Sequence, residues 1–132
     1  MIQITIPAWL PGTIRVAVAA VWLYEGLWCK LLGRDPNQLT IVKAVPQLGP
    51  RWGAVFLYSL GLVEVALGGW ALWGVQPFYG AVVQTVLLVT LNANGLIWSR
   101  KFIHDPPGMV VKNFAFLVLV WVSACLPGLF LS

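Results

Sequence analysis

The sequence predicts an all-α membrane protein, a bundle of four transmembrane helices with a short interfacial helix in its first loop. Composition is the first ground. Of 132 residues, 60% are hydrophobic and 9% are charged, against about 25% charged in an ordinary soluble domain. The second ground is four apolar runs, Ile14–Leu32, Gly53–Val75, Phe78–Trp98 and Met109–Leu131. Each is long enough to cross the ~30 Å hydrocarbon core as a helix of roughly 20 residues. The third is charge asymmetry. Of the 8 basic residues, all but Arg15 flank the first and third loops: Lys30, Arg34, Lys43, Arg51, Arg100, Lys101 and Lys112. The positive-inside rule puts those loops in the cytoplasm and both termini outside. The net charge of +4 is spread between apolar spans rather than clustered, so no nucleic-acid partner is expected.

The first run, Ile14–Leu32, is read as retained, because the first thirteen residues hold no Lys or Arg to form a signal-peptide n-region. Pro7, Pro11 and Gly12 make the segment before it irregular and interfacial. In the first loop, Asp35-Pro36 reads as an N-cap followed by Pro at the first helical position. Leu39, Ile41, Val42 and Val45 then recur at near-helical spacing around Lys43. They predict a short helix lying on the membrane surface, ended by Pro46, Gly49 and Pro50. The second loop, Gln76-Pro77, is a tight uncharged turn. The third holds the chain's one histidine, His104, and Asp105-Pro106-Pro107-Gly108 is expected to exclude helix there. Trp9, Trp52, Trp73 and Trp98 fall near the span ends as interface anchors. Trp22, Trp28, Trp70 and Trp121 lie deeper, as packing bulk.

Two runs carry a glutamate where lipid should be. An ionised carboxylate in the membrane costs at least ~2.5 kcal/mol, so it faces the bundle interior. At ~1.5 Å per residue, Glu25 lies ~10 Å from the cytoplasmic end of its span and Glu64 ~16 Å deep. Asn92, Asn94, Lys112 and Asn113 fall within ~9 Å of the same surface. A polar pocket open to the cytoplasm follows, with Glu25 facing Lys112, Asn113 or the two asparagines. Lys30, five residues beyond Glu25, points about 140° away on an α-helix. Glu64 has no basic residue at its depth and is expected to be neutral, since desolvation disfavours the charged form. Asn92, Asn94, Gln84 and Thr90 also serve as interhelical hydrogen-bonding groups. Gly61 and Gly68, seven apart with Glu64 beside them, let another backbone come close.

Several chemistries lack their residues. Cys29 and Cys125 lie near opposite ends of their spans, beyond the ~7 Å Cα separation of a disulfide. There is no Cys-x-x-Cys. One histidine cannot give bis-histidine haem, and no His/Cys/carboxylate cluster has ligand spacing, so no metal site is expected.

Three stretches together resemble the DoxX-like family of small bacterial membrane proteins. They are Val21-Trp22-Leu23-Tyr24-Glu25-Gly26-Leu27-Trp28-Cys29-Lys30-Leu31-Leu32 with Asp35-Pro36-Asn37-Gln38-Leu39, then Gly61-Leu62-Val63-Glu64-Val65-Ala66-Leu67-Gly68-Gly69, and His104-Asp105-Pro106-Pro107-Gly108-Met109-Val110-Val111-Lys112-Asn113. The resemblance covers nearly the whole chain. It implies one DoxX-like transmembrane domain over residues 1–132, in a bacterial plasma (inner) membrane. Glu25, Gly26, Lys30, Glu64, Lys112 and Asn113 occupy the motif positions, and Cys29 stands where many relatives have proline. Family members are associated with quinone-linked redox complexes. The expected function is an accessory or scaffolding subunit of a membrane redox complex, not an enzyme on its own. Its expected pocket, formed by Glu25, Lys30, Glu64, Asn92, Asn94, His104, Lys112 and Asn113, would take a lipid or quinone head group, with no covalent cofactor. Its partners would be membrane lipid and either other membrane subunits or further copies of itself. The alternative is a quinone-linked oxidoreductase subunit that moves protons through its intramembrane carboxylates. A small-solute carrier ranks third, because repeat symmetry and broken helices are not evident.

Overall fold

The computed structural model describes the backbone over residues 5–130 and side chains as far as 126. Five α-helices follow one another: α1 (Leu10–Leu23), α2 (Asn37–Lys43), α3 (Gly49–Trp73), α4 (Pro77–Trp98) and α5 (Pro106–Phe130). A π-helical segment, Tyr24–Leu31, continues α1, and a 3-10 turn, Arg100–Phe102, joins α4 to α5. No strand occurs among the described residues. Three helices are long and apolar enough to cross a membrane, namely α3, α4 and α5 to Leu126. α1 by itself has 14 residues, short of the ~20 a span needs.

The helix boundaries differ from the expected ones for identifiable reasons. α1 starts at Leu10, inside the segment expected to be irregular; Pro11 sits in its first turn, where the missing N–H costs nothing. α3 likewise begins at Gly49 with Pro50 in its first turn. The prolines of Asp105-Pro106-Pro107-Gly108 open α5 rather than exclude it, and Asp105 Oδ1 accepts from the Gly108 N–H at 3.2 Å. Asp35 does not cap α2 with its side chain; Pro36 is the N-cap residue. At the other end of α3, Gly74 takes φ 76°, the left-handed conformation that ends a helix without a Cβ penalty.

The core draws on all four long segments: Val18 and Trp22 from α1, Leu67 from α3, Ala81 from α4, Phe116 and Val120 from α5. Trp22 meets Phe116 edge-on at 5.5 Å between ring centroids. Its Nε1 donates to Gln84 Oε1 at 2.6 Å, which satisfies a donor that burial would otherwise leave orphaned. α1 packs against α3 and α5, and α4 packs chiefly on α5. Trp121 Nε1 donates to Thr85 Oγ1 at 2.9 Å across the α4–α5 contact. α2 lies along the first turns of α3 and is tied to the α4–α5 connection. Ser99 Oγ donates to the Ile41 carbonyl at 2.5 Å, and Asn37 Nδ2 to the Phe102 carbonyl at 2.9 Å. The outward faces of α3, α4 and α5 are lined by exposed apolar side chains, among them Leu62, Val86 and Phe114.

Candidate functional site

A buried ion cluster joins α3 to the π segment. Lys30 Nζ donates to Glu64 Oε2 at 2.9 Å and stands 3.6 Å from Glu25 Oε2. It also reaches the Glu25 carbonyl at 3.5 Å. Glu64 is 2% exposed and Lys30 6%, whereas the Glu25 side chain is 40% exposed. Gln38, at the start of α2, donates from Nε2 to Glu25 Oε2 at 3.1 Å and to Asp35 Oδ2 at 3.4 Å. The cluster thus runs from a closed carboxylate, through one ammonium, to an open carboxylate held by the first loop.

The π segment is what makes this geometry. Its hydrogen bonds run from residue i to i+5, as in Leu32 N–H to the Leu27 carbonyl at 2.8 Å, so side chains five apart stack instead of diverging. Lys30 therefore sits over Glu25, against the α-helical expectation of ~140°. Glycine supplies the close approach. A Cβ on Gly26 would lie 2.6 Å from the Gly61 carbonyl oxygen and 2.9 Å from Glu64 Cβ. One on Gly68 would lie 2.9 Å from Leu23 Cγ. The Gly61/Gly68 stripe of α3 is thus the face that meets α1 and the π segment.

Of the expected pocket residues, the structure brings together Glu25, Lys30 and Glu64. The remainder separate. Asn113 Nδ2 donates to Asn92 Oδ1 at 2.7 Å, a bond between α5 and α4 away from the cluster. Asn94 Nδ2 bonds its own helix at the Thr90 carbonyl. His104 and Lys112 are exposed. Glu25 makes no hydrogen bond or ion pair with Lys112, Asn113, Asn92 or Asn94; its partners are Lys30 and Gln38. Glu64 does have a basic neighbour. The close approach of α3 to the π segment at Gly26 and Gly61 brings Glu64 beside Lys30. Gln38 was not anticipated in the site; its only signal was its place one turn beyond Asp35 in a loop that folds back.

The family model of the DoxX-like family matches residues 19–121. The chain belongs to the DoxX-like family. The matched stretch contains the whole cluster and its supporting glycines. Similarity to two human proteins was also found: olfactory receptor 11H2 and olfactory receptor 11H1, each 30% identical over 64 residues, which is 46% of this chain and 20% of the receptor. This DoxX-like chain spans about a fifth of the length of those receptors, and nothing of their activity carries over. No solved structure matches.

Proposed function

We propose that this DoxX-like protein crosses a bacterial plasma membrane four times and serves as an accessory or scaffolding subunit of a membrane redox complex. α1 and the π segment together form the first span, α2 lies on the cytoplasmic interface, and both termini are outside. The observation that carries the scaffolding role is that the intramembrane charges are spent on one another. Lys30 holds both Glu64 and Glu25, and at 2% exposure Glu64 offers a ligand no approach. Such a cluster locks α3 to the first span, while the apolar outer faces of α3, α4 and α5 are free to bind partner helices or further copies of the chain. Purification in mild detergent is expected to recover stoichiometric membrane partners, seen by mass spectrometry, with haem or flavin absorption in the preparation. A lone homo-oligomer carrying a small solute would favour a carrier instead.

One feature of the cluster favours a second reading, a quinone-linked subunit that transfers protons. Lys30 Nζ bridges a closed carboxylate and an open one, an arrangement through which a proton can pass. In that reading a quinone or lipid head group would approach at Glu25, the exposed member.

Topology has its own test. Cysteine placed at Gln76, with Cys29 and Cys125 replaced, is expected to react with an impermeant reagent from outside intact cells. Labelling only after permeabilisation contradicts the assignment.

A further inference from the structure

The opposite end of the bundle holds a second arrangement, which the redox reading does not use. A cleft of about 250 Å³ opens among α1, α3, α4 and α5, with Val18, Trp70 and Val120 on its apolar walls. Among the described residues its polar lining is Arg15, Gln84 and Ser123, with no acidic residue. Gln84 is 6% exposed. The indole N–H of Trp22 can only donate, so the Gln84 oxygen is fixed on Trp22. The Gln84 amide nitrogen is left to the cleft, with no hydrogen-bond partner among the described residues. Arg15 lies against Gly74, over the place a Cβ would fill. Among the described residues Arg15 forms no ion pair: Glu25 and Glu64 are held by Lys30, and Glu64 stands ten residues, ~15 Å along α3, from Gly74; the C-terminal carbonyls of α3 offer the guanidinium a partial charge. The same guanidinium borders a second apolar cleft, of about 470 Å³, lined by Trp9, Val16 and Leu72.

We propose that this end of the bundle binds the oxyanion head of an anionic lipid, with Arg15 on the charge, the Gln84 amide donating to a head-group oxygen, and acyl chains in the two clefts. A lining with a guanidinium and an amide N–H group, and no acid among the described residues, favours an anion. A volume below the ~300–1,000 Å³ of ordinary small-molecule pockets suits a head and the first methylenes of a tail that continues into the bilayer. A phosphate and a carboxylate head share this chemistry. The inference rests on the membrane placement and not on the redox assignment.

The test uses full-length protein reconstituted in phosphatidylcholine vesicles, with tryptophan fluorescence quenched by brominated lipids. The contribution of Trp70 is taken as the difference from Trp70→Phe. Brominated phosphatidylglycerol is expected to quench Trp70 at about one fifth of the mole fraction that brominated phosphatidylcholine needs, the equivalent of ~1 kcal/mol for one basic contact. Arg15→Gln, at an exposed position, should abolish that preference. So should Gln84→Glu, which keeps an acceptor for Trp22 and puts an oxygen where the donor was. A preference for brominated stearate over its methyl ester, without one for phosphatidylglycerol, assigns the site to a free fatty acid. Equal quenching within both pairs overturns the proposal, as does an unchanged preference in either folded variant.

Discussion

Lys30→Met is expected to destabilise the protein by about 3–5 kcal/mol, the cost of removing one partner from a buried ion pair. It leaves two carboxylates, Glu25 and Glu64, beside each other without a cation, and Glu64 has no route to water at 2% exposure. The loss should appear as a lowered midpoint in unfolding from detergent micelles. Charge bookkeeping makes the series asymmetric. Glu64→Gln leaves Lys30 paired with Glu25 at 3.6 Å and keeps a hydrogen-bond acceptor, so its cost should stay near the ~1 kcal/mol of one hydrogen bond. The double variant Lys30→Met with Glu64→Gln removes the unpaired charge at Glu64 and should recover much of the single Lys30→Met loss. A single Lys30→Met variant as stable as the parent would show that the cluster does not hold α3 to the π segment.

Gly26→Ala is expected to be nearly as damaging, although it adds one carbon. The new Cβ would stand 2.6 Å from the Gly61 carbonyl oxygen and 3.0 Å from the Val65 nitrogen. Both are backbone atoms, so the helices themselves must part. Overpacking of this kind costs about 1–3 kcal/mol, and here it also draws Lys30 away from Glu64. Gly69→Ala, eight residues beyond Gly61 on α3 with nothing within 4 Å of its Cβ position, is the matched control. It should be neutral or stabilising by up to about 1 kcal/mol, the helix-propensity difference between the two residues. Equal effects at the two glycines would mean that the close approach of α3 to the π segment is not a determinant of stability.

Much of the architecture is legible in the chain because hydrophobicity is a local property. α4 ends at Trp98 as expected, and a tight turn joins α3 to α4, though it spans Gly74–Gln76 rather than Gln76-Pro77, because Gly74 ends α3 at Trp73 and Pro77 opens α4. Prolines were misread twice for the same reason. Pro11 and Pro106 were expected to keep the chain out of helix, yet a helix tolerates proline in its first turn, where no intrahelical N–H is needed. The site was harder. Glu25 and Glu64 stand out because a carboxylate is costly in lipid, whatever its neighbours. Their partner was dismissed because a 3.6-residue period turns Lys30 away from Glu25, and only a change of helix type over Tyr24–Leu31 turns it back. No residue in Tyr-Glu-Gly-Leu-Trp-Cys-Lys-Leu announces that change by itself; the demand of Glu64 for a cation and the gap left by Gly26 act through tertiary contact. Arg15 was counted only as the exception to a charge rule, and Gln84 only as an interhelical hydrogen-bonding group, since a cleft exists only once four helices have met.

The central claim is that the Glu25–Lys30–Glu64 cluster is a structural clamp in an accessory subunit. Its most direct test is the redox activity of the natively purified complex carrying either the wild-type subunit or Glu64→Gln, compared at matched assembly. An amide keeps a hydrogen-bond acceptor for Lys30 but cannot release a proton at physiological pH. The clamp predicts activity retained at the wild-type level. A fully assembled but inactive Glu64→Gln complex would contradict it and place Glu64 on a proton path.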